Sequence, residues 1–103
     1  MNDEKKLESE KEFILNLREV EVEQEIDKYR KMDLSKVVGN VVHQRAGDIG
    51  LDDKAREIYH NGQASLTMSM MNMFKGIIEN SDLVFFIRKA IIAEIDKAMN
   101  INH

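Results

Sequence analysis

Residues 64–99, ASLTMSMMNMFKGIIENSDLVFFIRKAIIAEIDKAM, form the most apolar part of the chain. They read as two apolar helices joined by a tight polar turn at Glu79, Asn80, Ser81 and Asp82. The second helix, from about Asp82 to Asn100, is apolar on most of its circumference. Val84, Ile87, Ile91, Ile95 and Ala98 make one line at helical spacing, and Phe85 and Ile92 make another. A helix apolar all round must be buried all round. In a chain of 103 residues a single layer of neighbours rarely covers it, which points to a bundle centre or a subunit interface.

The first helix of the pair places Leu66, Met70, Phe74 and Ile77 on one stripe and holds four of the seven methionines. Methionine fills irregular gaps in cores and is common on adaptable binding surfaces. Ser65 through Met70 alternates polar and apolar as a strand would, but the methionine content and the lack of β-branched residues other than Thr67 favour a helix. Asn80 is expected to end this helix in a left-handed conformation, with Ser81 capping the next. A link this short gives an antiparallel hairpin. The expected protein interface is Met70, Phe74, Ile77, Val84, Ile87, Ile91 and Ile95.

Upstream, Glu4 to Met32 has no glycine or proline and many strong helix formers, so a single long helix is the simple reading. At 1.5 Å per residue it would span roughly 40 Å. Residues 1–6 are expected to be disordered. All of the net charge of −4 resides in residues 1–33, which carry 11 acidic and 7 basic side chains. Such an acidic face could meet a basic partner, although a solvated face is the simpler reading.

The middle of the chain reads as two short helices. Asp33 is a good cap for one from Leu34 to about Ala46, which Gly39 weakens by up to about 1 kcal/mol. GDIGLDD then forms a loop with Gly47 and Gly50 free to take positive φ, Asp52 or Asp53 caps a helix of about two turns, and Gly62 stops it. Ala46 and Gly50 stand four apart, as a helix-turn-helix prefers. That pattern then degrades, because Arg56 and Tyr59 fall where apolar side chains belong and the region has no basic excess for phosphate. His43, Arg45, Arg56, Tyr59 and His60 are the candidate ligand residues, able to converge on a polar pocket for an anion or nucleotide.

There is no cysteine, which excludes disulfides and thiolate metal sites. The three histidines show no metal-binding spacing, no serine sits in a nucleophile elbow, and no phosphate loop is present. Neither a cofactor nor catalysis is expected. The start MNDEKKLESEKE lacks the apolar core of a secretory signal, and no apolar run reaches the length of a membrane span, so a cytoplasmic protein without membrane contact is expected.

The sequence therefore predicts one all-α domain over residues 1–103. A long N-terminal helix, two short helices and a C-terminal antiparallel helical hairpin close into a dimeric helical bundle. The expected function is non-enzymatic binding and modulation of another protein, as an inhibitor, immunity or adaptor protein. A regulator binding nucleic acid or a nucleotide through residues 34–63 is the alternative, and a structural subunit of a larger assembly is a third.

Overall fold

The computed structural model describes residues 11–100, so the disorder expected for residues 1–6 lies outside the described residues. The chain runs β1 (Glu12–Asn16), β2 (Val20–Glu25), β3 (Lys28–Met32), α1 (Ser35–Arg45), α2 (Ile49–Asn61), β4 (Gln63–Thr67), α3 (Met68–Glu79) and α4 (Phe85–Met99). β1 pairs antiparallel with β4, and β2 with β3. The fold is therefore α+β, which overturns both the all-α helical bundle and the long N-terminal helix.

The reason lies in the period of the apolar residues. Phe13, Leu15 and Leu17, then Val20 and Val22, recur every second residue, and all five are buried. On a helix, residues two apart point to opposite sides, whereas on a strand they share one face. Helix propensity is a weak preference that tertiary burial overrides. The charges agree with the strands. Glu19 and Glu23, or Glu21 and Glu25, would repel on a helix. On the hairpin Glu21 stands opposite Lys31 and Glu25 opposite Lys28, and Glu25 and Lys28 pair at 3.6 Å. Asp27 turns the hairpin at φ 62°, a left-handed conformation that aspartate tolerates better than most residues. The Glu23 carboxylate accepts from the Asp27 backbone N–H at 2.8 Å, and that bond is the first cause that holds its pKa below the ordinary range, with Lys89 adding to it.

β4 answers the alternation of Ser65 to Met70: Ala64 and Leu66 are buried opposite Leu15 and Phe13 of β1. α3 begins only at Met68, where the Thr67 hydroxyl accepts from the Met70 N–H at 3.2 Å. Leu17 ties the pieces together, its N–H donating to the Gly62 carbonyl and its carbonyl accepting from the Leu34 N–H, both at 2.9 Å. α4 lies across β1 and β2 and beside α3. The cover that its apolar circumference demanded thus comes in large part from strands of the same chain.

Other boundaries differ in detail. Asp33 accepts from the Ser35 N–H at 3.0 Å, and the helix begins at Ser35. Asp48, not Asp52 or Asp53, caps α2, accepting from the Leu51 N–H at 2.8 Å, so Gly50 is helical and α2 is 13 residues long. Gly62 ends α2 at φ 81°, as its position predicted. Asn80 ends α3 without the left-handed turn, its side-chain amide donating to the Gly76 carbonyl at 2.8 Å. Ser81 is buried and donates to the Ile78 carbonyl at 2.7 Å rather than capping α4, which starts at Phe85.

Candidate functional site

α1 and α2 pack side by side, and at one point their backbones nearly touch. A Cβ placed on Gly39 would stand 2.7 Å from Cβ of Tyr59 and 2.9 Å from the Ala55 carbonyl oxygen. Glycine is required there because the helices leave no room for a side chain. Beside this crossing a cleft of about 210 Å³ opens, lined by Gly39, Asn40 and His43 of α1 and by Ala55, Arg56, Tyr59 and His60 of α2.

One carboxylate organises the polar wall. Oδ1 of Asp52 meets Nδ1 of His43 at 2.5 Å, and Oδ2 accepts from Nε of Arg56 at 2.9 Å. The His43 bond, followed by the Arg56 bond, holds the Asp52 carboxyl below the ordinary aspartate range. Each base or cation is thus fixed by one nitrogen while others stay unused: Nε2 of His43 and both terminal nitrogens of Arg56 bond to none of the described residues. Across the crossing, Lys36 sets its ammonium 4.3 Å from the Tyr59 ring centre and donates to the Tyr59 carbonyl at 3.3 Å. The His60 ring stands edge-on to Tyr59, with centres 5.1 Å apart.

Four of the five expected ligand residues, His43, Arg56, Tyr59 and His60, therefore line one cleft. Arg45 does not; it donates to the Asn80 carbonyl at 3.1 Å, bracing α1 against the end of α3. Sequence reading missed Lys36, Asn40 and the bridging role of Asp52. The spacing of four between Asp52 and Arg56 is the one signal that could have shown the last.

The expected interface residues divide. Phe74, Ile91 and Ile95 are in the core of the chain itself, Met70, Ile77 and Ile87 are half-buried, and Val84 is exposed. A second groove, of about 400 Å³, follows the outer side of α4 through Phe85, Arg88, Lys89, Ile92, Ala93 and Asp96, with Glu79 of α3 at its edge. Phe85 is 65% exposed there. The groove is braced: Lys75 of α3 and Asp96 of α4 pair at 2.9 Å, and Arg88 donates to the carbonyls of Leu83 and Glu79. The Asp96 bond raises the Lys75 pKa above its ordinary value.

No family model matches this chain, and no curated protein or solved structure matches it significantly. Among the described residues, no group of three or more His, Asp or Glu side chains is placed to hold a metal ion, and no helix is long and apolar enough to cross a membrane.

Proposed function

We propose that this is a non-enzymatic binding protein that pairs with a second copy through the outer stripe of α4 and acts by binding and modulating another protein, as an inhibitor, immunity or adaptor protein does. The observation that carries this reading is the apolar groove around Phe85, Ile92 and Ala93, with both signs of charge along its edges in Glu79, Arg88, Lys89 and Asp96. A two-fold interface brings a patch against itself, so a patch with both signs of charge can be its own complement. An exposed aromatic in a groove with a polar rim is the usual anatomy of a contact centre. The same reading takes the protein to work in the cytosol.

Binding of DNA through α1 and α2 finds less support. α2 opens with Asp48, Asp52 and Asp53, where a recognition helix needs groups that approach phosphate and base edges.

Light scattering on the purified chain at low and high salt tests the proposal, alongside Phe85→Glu. The expected result is a salt-resistant dimer of the 11.9 kDa chain and a folded monomer for the variant. A wild-type monomer at every concentration, or a dimer that survives Phe85→Glu, overturns it. A larger closed assembly would turn the reading toward a structural subunit.

A further inference from the structure

We infer that the α1–α2 cleft binds a phosphoryl group, either as inorganic phosphate or as the phosphate of a mononucleotide. The site lies on α1 and α2, away from the α4 stripe, and does not depend on the pairing of two copies.

Side chains of both helices line one opening. Arg56 holds Asp52 by its Nε alone, which leaves the forked end of the guanidinium for a ligand. That fork matches the spacing of two oxygens on phosphate or carboxylate. His43 meets Asp52 through Nδ1 and, as an imidazolium, presents a second N–H at Nε2, and His60 and the Asn40 amide complete the lining. Asp52, which holds both side chains, has both oxygens engaged, by His43 and Arg56, so its charge is answered before a ligand arrives. Lys36, held against Tyr59, adds a second cation nearby. α1 and α2 run in opposite directions here, since Lys36 meets Tyr59 while His43 meets Asp52. Their dipoles therefore oppose one another, and the side chains decide the sign of the field.

A tetrahedral oxyanion accepts from several directions at once, and this lining offers donors from both helices. A carboxylate can take the guanidinium fork too, but a phosphate brings further oxygens for the other side chains of the lining. The rings of Tyr59 and His60 border the same cleft, and a base carried on the phosphate can stack there.

The test is a titration of the full chain, followed by amide NMR at constant ionic strength, with inorganic phosphate and separately with adenosine monophosphate. Saturable shifts confined to the amides around residues 39–43 and 55–60 are expected. Arg56→Gln should weaken binding at least tenfold with an unchanged circular dichroism spectrum, whereas Arg45→Gln, which loses the same charge outside the cleft, should bind as the wild type does. Adenosine monophosphate binding at least tenfold more tightly than phosphate would identify the nucleotide as the source, and equal binding would identify the phosphoryl group alone. Shifts that do not saturate with either probe, or equal losses in the two arginine variants, overturn the inference.

Discussion

Gly39 of α1 lies so close to Tyr59 of α2 that a Cβ on the glycine would stand 2.7 Å from the tyrosine's own Cβ. Helix propensity alone says that Gly39→Ala should stabilise α1 by up to about 1 kcal/mol. The contact says the opposite, because the obstructing atoms are a Cβ and a backbone carbonyl, neither of which can swing aside. Overpacking of this kind costs about 1–3 kcal/mol, so a net loss of stability is expected. The midpoint of urea unfolding decides the sign, and a stabilised Gly39→Ala would mean that the helices sit further apart.

Leu15 and Ile14 are neighbours in sequence and opposites in the strand, Leu15 being 0% exposed and Ile14 61%. Leu15→Ala should cost about 2–5 kcal/mol, the range for a large-to-small change in a core. Ile14→Ala should change stability by less than about 0.5 kcal/mol, as surface changes do. Equal costs, measured by denaturant unfolding, would remove the alternation on which β1 rests.

Leu15 and Ile14 also mark how far the amino-acid sequence alone carries the fold. The alternation of Phe13, Leu15 and Leu17 is visible in the sequence, and so is that of Ser65 to Met70, but the strong helix formers around the first and the methionines of the second favour a helix. Propensity of exposed residues says little when burial sets the period. Ile26 and Tyr29 stand exposed around the hairpin turn. Capping residues were legible in part: Gly62 ends α2 as expected, whereas Asp48 rather than Asp52 or Asp53 caps that helix and Ser81 does not cap α4. The gathering of His43, Arg56, Tyr59 and His60 needed the α1–α2 crossing, and no spacing within the chain encodes the partner helix. What α4 packs against was invisible for the same reason, since its cover comes from strands 60 or more residues earlier.

Three carboxylates make the fold sensitive to acid. Asp33 is held below its ordinary range by the Ser35 hydroxyl and then the Ser35 N–H, Asp52 by His43 and then Arg56, and Glu23 by the Asp27 N–H and Lys89. Each binds protons less readily folded than unfolded, so the unfolded state takes up more protons as the pH drops. Their contribution is complete above the unfolded value, about pH 4, and is lost as the pH falls through the lower folded values. Urea unfolding measured from neutral pH downward should show stability falling in that acid window. Asp52→Asn should show a shallower fall, and an identical slope in the variant would remove Asp52 from the account.

Gly62 closes α2 in the left-handed region at φ 81°, and the Arg18 side chain lies over the position a Cβ would occupy. Two costs therefore attend Gly62→Ala. Left-handed backbone costs a residue with a Cβ roughly 1–2 kcal/mol. Displacing Arg18 is cheaper, because the methylenes are flexible, but it disturbs the bond from its guanidinium to the Gln63 side chain at 3.1 Å. Asparagine tolerates the left-handed region better than alanine while presenting the same Cβ to Arg18. If backbone conformation dominates, Gly62→Asn should lose clearly less stability than Gly62→Ala in urea unfolding. If the overlap with Arg18 dominates, the two variants should be equally weakened, and Arg18→Ala should restore both.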